Sequence, residues 1–579
     1  MKPETEYVDS DLGNIRIDHE GSPVSACRME ISKAYTGVPA LLRKVIDNQD
    51  EGAWKEIGTR IDYIYTNLNI ALTLLNNETK FIDKVKSDLK SGKKLFFKPN
   101  LVSPIAINYH SHDEGVGARI CTDWTFLAAL MRWFHDTLDI SYHQMSMGEG
   151  SASCGLMAAM YSKGTGKAIT PEAVFEGKSG ALFGGWGFYF IRRYLSDRHP
   201  SSHTDNPMNG YEDSVAGRYV PPGQATDRLM VYDLNNLNDD PKRGRTVPVK
   251  DGACYKNITL HKVIIGGDPG DRADMKDYPG SVMVNVPKLK IHLQDLITNA
   301  TKNLGIGLYP MECSSGKPGD TKWLYATPDT PVPTLKSKLP HCRRIVLMDD
   351  NTHLPVINQK GEYSITITPG MAGTQVDVIR ATQDQGVFIL HVVDAIDTIN
   401  ISHDDETAVR IPEGFVWTSL DCVALDLLCA RYCFKTVPMK EELKLKEENG
   451  WNTEFVHHVP VAKVEGKNII TTGGYDSPLS RYNLFSYAES RGIGRQLYYV
   501  TGLDCVTGTP LASLNGHLGR IEKSVFRELM TTTMYYNPGC MLWDMQETLL
   551  SYAKAHDNLV HSAEKFYDEF MDRFDENHD

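Results

Sequence analysis

Length, composition and charge exclude several classes of protein. The 579 residues carry a formal net charge of −13 and an isoelectric point near 5.8, which argues against a nucleic-acid-binding surface. No apolar segment resembles a signal peptide or reaches the length of a membrane span, and eleven scattered cysteines without a Cys-x-x-Cys pair indicate reduced thiols in a cytoplasmic protein.

Along the chain, a helical stretch is followed by alternating strands and helices. Residues 1–91 form the predicted N-terminal helical segment, with apolar residues at helical spacing across 57–75. Residues 92–438 form the predicted α/β core domain, a mainly parallel central sheet flanked by helices. Residues 439–579 form a mixed C-terminal accessory region that ends in helices. Predicted strands are 95–97, 140–147, 229–233, 262–265, 282–286, 344–348 and 387–393, and a helix is predicted at 122–138.

Polar clusters follow four of the predicted strands at the points where they end. In open α/β sheets ligands bind at the carboxyl ends of the strands. We therefore expect the four clusters to lie close together at one edge of the sheet. They contain Lys98 and Asn100, then Glu149, then the Pro-Lys-x-Lys-x-His block at 287–292, then Asp394 and Asp397.

The block at 287–292 is the most informative segment. Lys288, Lys290 and His292 occupy alternate positions, and alternate residues of an extended segment face the same way. A short helix is predicted to follow, with Thr298 and Lys302 one turn apart on one face and Asn303 beside them. This collection favours an anionic ligand, a phosphate, a carboxylate or a developing oxyanion. The alternative is a solvated basic loop.

These motifs carry a family resemblance. Lys-Pro-Asn-Leu at 98–101, Gly-Glu-Gly-Ser at 148–151, the block at 285–292, and Thr298 through Lys302-Asn303 occur in the order seen in the family named domain of unknown function 362. Asp394, Asp421 and Asp426 extend the resemblance, which covers about residues 92–435. Members often carry a ferredoxin-like iron–sulfur module. This chain lacks its cysteine pattern, so no iron–sulfur cluster is expected.

The leading functional prediction is a cytoplasmic enzyme acting on an anionic small molecule. Lys98, Lys288, Lys290 and Lys302 would hold its charge, and Asn100, Thr298 and Asn303 would orient it. Glu149 and His292 would supply acid–base chemistry, and Asp394 and Asp397 could hold a divalent metal. No cofactor is identified, and no nucleic-acid or membrane partner is expected.

Two alternatives remain open from the residues. One is a non-catalytic protein that binds a metabolite or serves a redox partner protein. The other is a metal-dependent enzyme centred on His110 and His112, whose spacing on a strand can chelate zinc. In the last core helix, Asp421 is predicted to be the N-cap, while Asp426 would need a partner if buried.

Overall fold

A computed structural model describes most of the core of the chain, and the structural statements below concern the residues that it describes. These are residues 6–8, 15–17, 21–101, 120–150, 188–199, 207, 219–234, 237, 242–252, 255–292, 296–309, 344–346, 359, 365–367, 370–399, 410–433 and 484–511.

Strands and helices alternate along the described chain. The strands are β1 (Glu6–Val8), β2 (Ile15–Ile17), β3 (Ser22–Arg28), β4 (Lys94–Pro99), β5 (Met145–Glu149), β6 (Met230–Asp233), β7 (Gly244–Pro248), β8 (Asn257–His261), β9 (Ser281–Val286), β10 (Lys290–His292), β11 (Leu296–Thr298), β12 (Arg344–Val346), β13 (Ile365–Ile367), β14 (Phe388–Ala395), β15 (Thr398–Ile399), β16 (Arg410–Ile411), β17 (Phe415–Ser419), β18 (Tyr498–Asp504) and β19 (Thr509–Pro510). The helices are α1 (Ile31–Ala34), α2 (Val38–Asn48), α3 (Glu51–Thr79), α4 (Phe81–Lys90), α5 (Trp124–Leu138), α6 (Phe188–Arg198), α7 (Lys262–Ile265), α8 (Arg272–Asp277), α9 (Ala300–Gly305), α10 (Gly370–Asp384), α11 (Cys422–Cys433) and α12 (Leu484–Ser490).

One nine-stranded sheet organises the fold, in the order β19-β18-β3-β17-β14-β9-β4-β5-β6. The run from β14 to β6 is parallel throughout, and β18 is parallel to β3. β17 runs antiparallel to both β14 and β3, and β19 runs antiparallel to β18. The predicted α/β class with a mainly parallel central sheet is therefore confirmed.

Helices cover both faces of this sheet, and the central strands are apolar on both sides. In β9, Met283 belongs to one hydrophobic core while Val282 and Val284 belong to the other. Helices α2 to α6 pack on the second face, where the buried face of α3 confirms the predicted N-terminal helices. Helices α9 to α12 contribute to the first face. Burial on both faces explains why these strands read as continuous apolar runs.

All three predicted stretches of the chain contribute strands to the central sheet. β3 comes from residues 1–91 and β18 from residues 439–579, and each occupies an interior position in the sheet. The three stretches differ in their sequence patterns, but all of them contribute to one shared sheet. The division of the chain at residues 91 and 438 stays a prediction.

Two predicted elements differ from the structure. Residues 262–265 are not a strand but the short helix α7, because β8 ends at His261 and the His261 side chain accepts a hydrogen bond from the Val263 backbone N–H at the start of the turn. The predicted strand at 140–147 begins only at Met145, because residues 142–144 form a turn of 3-10 helix. The predicted helix at 122–138 is confirmed as α5, whose N-cap is Asp123. None of the helices in the described part of the chain combines the length and the apolar composition of a membrane span.

Candidate functional site

Four parallel strands end beside one another at the centre of the sheet. From β4 the chain proceeds outward to β5 and β6 on one side, whereas β9 and β14 lie on the other side. The strand order therefore reverses between β4 and β9, and ligands of open α/β sheets bind at the carboxyl side of such a switch point. The residues at and just beyond the carboxyl ends of these four strands are buried and polar. They include Lys98, Asn100, Glu149, Lys288, Asp394 and Asp397.

Lys98 and Glu149 form a fully buried ion pair at this edge. The Lys98 Nζ lies 2.8 and 2.7 Å from the two carboxylate oxygens of Glu149, and 2.9 Å from Asn303 Oδ1. The backbone N–H groups of Leu101 and Gly150 also donate to Glu149, at 3.1 and 2.9 Å. Both oxygens of Glu149 are thus engaged with the protein, which suits a residue that positions Lys98.

Asn303 connects this pair to β9. Its Nδ2 donates to the Lys98 carbonyl at 3.2 Å and to Asn285 Oδ1 at 2.7 Å. Asn285 Nδ2 in turn lies 2.9 Å from His391 Nδ1. Burial lowers the pKa of His391 to about 3, so the imidazole is neutral and accepts this hydrogen bond. Asn285 and His391 were not predicted to be site residues, although an Asn inside the apolar run of β9 is a signal that could have identified Asn285.

Lys288 forms the second buried ion pair. Its Nζ lies 3.0 Å from Asp394 Oδ2, and that same oxygen accepts the Asp123 backbone N–H at 2.9 Å. The Lys288 ammonium also lies 5.3 Å from the centre of the Tyr35 ring. Burial raises the pKa of Tyr35, and the charges of Asp394 and Asp123 raise it further. Tyr35 is the C-cap of α1, the short helix after β3, so the N-terminal segment reaches the site.

Lys290 differs from Lys98 and Lys288 in its contacts. Its side chain is 1% exposed, and its Nζ lies 3.3 Å from Asn100 Oδ1 and within hydrogen-bonding distance of the Ile120 carbonyl. Among the described residues, neither neighbour is a carboxylate. Burial lowers the pKa of Lys290 to about 7. The charges of Lys302 and Lys288 also lower this pKa, whereas Cys121 and Glu149 act in the opposite direction.

Thr298 lies opposite Lys290 in a hairpin. β10 and β11 pair antiparallel, with Lys290 directly across from Thr298, and residues directly opposite one another project to the same face. The Thr298 hydroxyl is buried and has no hydrogen-bond partner among the described residues. The prediction that Thr298 and Lys302 share a helix face is wrong, because Thr298 ends β11 and helix α9 begins only at Ala300.

Asp123 is a further carboxylate at this edge that sequence reasoning did not select as a site residue. Its Oδ1 accepts from the Thr125 backbone N–H at 2.8 Å and caps α5. Burial raises the pKa of Asp123 to about 6, helped by the charge of Asp394 and opposed by Thr125 and Lys288. A capping residue gives the same sequence signal whether or not it titrates near neutrality.

Asp426 has the partner that its burial demands. Its two oxygens accept the backbone N–H groups of Ala300 and Thr301 at 2.8 and 2.9 Å, together with the Thr301 hydroxyl. Asp426 therefore fixes the start of α9, the helix that presents Lys302 and Asn303. Asp421 caps α11 as predicted, accepting from Val423 and Ala424.

The predicted metal ligands lie in an environment that does not favour a cation. Asp397 and Asp394 are both buried at the carboxyl edge, but the Lys288 ammonium occupies Asp394 Oδ2 at 3.0 Å and would repel a divalent ion. The metal assignment stays a prediction. His292 pairs through its backbone with Leu296, while its side chain, like His110 and His112, lies outside the described residues.

A separate cluster, at the carboxyl ends of α5 and α6, also groups possible metal ligands. His135 Nδ1 and His199 Nε2 lie 3.0 and 2.9 Å from Asp136 Oδ1. The other Asp136 oxygen accepts from the Tyr65 hydroxyl at 3.0 Å and faces Arg132 Nε at 3.4 Å. The two imidazole rings are tilted by 30° with their centroids 3.9 Å apart. Four donors around one carboxylate are typical of a structural contact that holds α5 against the end of α6, although the ligand set would also suit zinc.

Comparison with known proteins supports the resemblance for part of the chain. Residues 223–431 match the family model described as Domain of unknown function (DUF362). No curated protein and no solved structure matches the chain. The matched segment supplies Lys288, Lys290 and Asp394, whereas Lys98 and Glu149 come from outside it.

Proposed function

We propose that the chain is an enzyme that binds an anionic small molecule, bearing a phosphate or a carboxylate, at the carboxyl edge of its central sheet. The observation that carries this proposal is the environment of Lys290. A buried ammonium group without a carboxylate neighbour is costly. An anionic group of a ligand would supply the missing negative charge.

The two ion pairs of the site act as its frame. Lys98 is bound by Glu149 and Asn303, and Lys288 by Asp394. If these lysines moved away from their carboxylates to contact a ligand, the buried carboxylates would be left without a cation. Their role is therefore to hold the ends of β4, β9 and β14 in place, while Lys290 makes the direct contact.

Thr298 and Asn100 complete the contact surface. The Thr298 hydroxyl projects from the same face of the hairpin as Lys290 and is buried without a partner in the described part of the chain. A phosphate or carboxylate oxygen would accept a hydrogen bond from it. Asn100 already orients the Lys290 ammonium through its Oδ1, so the lysine is preorganised for its ligand.

Two groups of this edge titrate near neutrality, which suits proton transfer. The pKa of Lys290 is lowered to about 7 and that of Asp123 is raised to about 6. Environments that bring an acid and a base toward the working pH are typical of general acid–base sites. In this proposal Lys290 and Asp123 carry the proton transfer, His292 remains a candidate, and Glu149 positions Lys98.

The test is calorimetric titration of the full chain with sulfate and with succinate, which stand in for phosphate and carboxylate ligands. Lys290→Met keeps most of the side-chain volume and removes the charge. It should weaken binding by about 1.5–3 kcal/mol, the range for a hydrogen bond to a charged group. The exposed Lys276 provides the matched control, and Lys276→Met should bind as the unchanged protein does. Equal affinity in both variants would contradict the proposal.

A second measurement separates an enzyme from a binding protein. Native mass spectrometry of the purified chain would identify a co-purifying anion, which then serves as the substrate candidate. Asp123→Asn should abolish its turnover while leaving its affinity within a few fold, because the amide keeps the size but cannot carry the proton. Full turnover in this variant would remove Asp123 from the mechanism. Elemental analysis of the same sample tests the metal-dependent alternative.

A further inference from the structure

Two thiols from opposite ends of the chain lie in contact. The Sγ atoms of Cys27 and Cys505 are 3.3 Å apart, although the residues are 478 positions apart in sequence. Cys27 lies in β3, and Cys505 is the first residue after β18. Contact between the sulfur atoms means that only a small adjustment is needed to reach the bonding distance of a disulfide, about 2.05 Å.

The strands that carry the two thiols are already fixed against each other. β3 and β18 pair in parallel from Ser22 with Tyr498 to Arg28 with Asp504. The Cys505 backbone N–H donates to the Arg28 carbonyl at 2.9 Å, and the Arg28 guanidinium lies 3.1 Å from Asp504. The register therefore holds the sulfur atoms together without help from a covalent bond.

The two cysteines differ in their access to solvent. Cys27 is completely buried and its Sγ lies 3.5 Å from Asn67 Oδ1, whereas Cys505 is half-buried. A small oxidant would therefore reach Cys505 first. Cys121, Cys422 and Cys429 are buried as well, so the oxidant would not reach them directly.

We propose that Cys27 and Cys505 form an oxidation site at which a peroxide converts the two thiols into a disulfide that links β3 to β18. In the first step the Cys505 thiol attacks one peroxide oxygen, the O–O bond breaks, and a sulfenic acid and water are formed. In the second step the Cys27 sulfur attacks the Cys505 sulfur, the S–O bond breaks, and the hydroxide leaves as water with the Cys27 proton. The peroxide is reduced and the two sulfurs are oxidised.

The order of the steps follows from burial. Burial raises the pKa of the Cys27 thiol, and the neighbouring Cys505 and Asp504 raise it further. Cys27 is therefore a poor first nucleophile, but it lies in contact with the sulfur that it must attack. An exposed sulfur that is oxidised first and a buried sulfur that resolves it is the arrangement expected of a sensor pair.

The disulfide would link β18 to β3, and β3 is connected to the proposed anion site through β17 and β14. Cys27 pairs with Val416, and Val416 pairs with Asp394, the partner of Lys288. β18 belongs to the part of the chain that lies beyond the DUF362 match. Oxidation would fasten this strand covalently to a strand that supports the site.

Peptide mapping of the folded full chain tests the proposal. The protein is reduced, exchanged into buffer, treated with hydrogen peroxide, blocked with N-ethylmaleimide and digested with trypsin without reductant. The expected main product is one cross-link between the tryptic peptides 17–28 and 496–520, each of which holds a single cysteine. The intact chain should lose two hydrogen atoms and two alkylation sites, and dithiothreitol should restore both.

Variants define the outcomes. Cys505→Ser should abolish the cross-link, and the control Cys429→Ser should retain it. A Cys505 that stops at sulfinic acid, a cross-link to another cysteine as the main product, or a cross-link formed only after denaturation would overturn the proposal. Because the wild-type map decides the question, a Cys27→Ser variant that fails to fold would not affect the result.

Discussion

At the scale of single residues, the buried lysines of the carboxyl edge differ in how their charge is balanced. Lys98 and Lys288 each contact a carboxylate, whereas Lys290 contacts the side-chain amide oxygen of Asn100 and a backbone carbonyl. The alternation of Lys288 and Lys290 in an extended segment was predictable from their spacing. The sequence could not show which lysine would lack a carboxylate partner, because the carboxylates come from other strands.

The Lys98–Glu149 pair makes a prediction about stability. Lys98→Met leaves a buried carboxylate without its cation and should lower the free energy of unfolding by about 3–5 kcal/mol. In the double variant Lys98→Met, Glu149→Gln no charge is left, so the loss should be smaller than the sum of the two single losses. Urea denaturation of the four proteins measures this coupling. Additive losses would mean that the pair contributes no coupling energy.

Lys290 makes a prediction about the pH dependence of stability. Its pKa is about 7 in the folded chain and near its ordinary value of about 10.4 in the unfolded chain. Between these values the unfolded chain holds the proton and the folded chain does not, so raising the pH favours folding. The unfolding free energy of the wild type, relative to Lys290→Met, should rise by up to about 1.4 kcal/mol per pH unit from pH 7 to 9. A flat difference would show that Lys290 stays charged when buried.

At the scale of elements, the segment around 287–303 shows where sequence patterns stop being informative. The spacing of Thr298 and Lys302 suits a helix, but residues 296–298 pair with β10 and the helix begins only at Ala300. The start of α9 is set by Asp426, which lies in α11 more than a hundred residues later. A cap supplied from so far away leaves no local signal.

This distant cap can be tested against an ordinary one. Asp426→Ala would leave two buried backbone N–H groups without acceptors and should lower the unfolding free energy by about 2–4 kcal/mol. Asp271 caps the exposed helix α8 through the N–H groups of Ala273 and Asp274, and Asp271→Ala should cost only about 1 kcal/mol. Denaturation curves of both variants measure the difference. A similar cost for the two would contradict the structural role assigned to Asp426.

At the scale of the whole molecule, the sheet is assembled from distant parts of the chain. The alternation of strand and helix patterns predicted its class, and the apolar runs predicted most of its central strands. The positions of β3 and β18 were not predicted, because pairing partners separated by hundreds of residues share no sequence pattern. The segment matching DUF362 holds β6, β9, β14 and β17, whereas β4 and β5 lie between β9 and β6 in the sheet.

This assembly predicts that residues 223–431 do not fold alone. Without β4 the edge of β9 is exposed, and β6 has no neighbour with which to pair. Exposed apolar strand edges favour aggregation. Circular dichroism and size-exclusion chromatography of this fragment should show an unfolded or aggregated chain, with residues 21–511 as the comparison. A monomeric fragment with cooperative unfolding would contradict the single-sheet account.

The central claim is that Lys290 must carry its proton to hold an anion, and the pH dependence of sulfate binding tests it most directly. Sulfate keeps its charge from pH 6 to 9, so a change in affinity reports on the protein. Because the pKa of Lys290 in the free chain is about 7, calorimetric affinity should be constant below pH 6.5 and should then fall by up to about tenfold per pH unit. Lys290→Met should bind weakly at every pH. Wild-type affinity that stays constant to pH 9, or a Lys290→Met variant that keeps the same fall, would contradict the account.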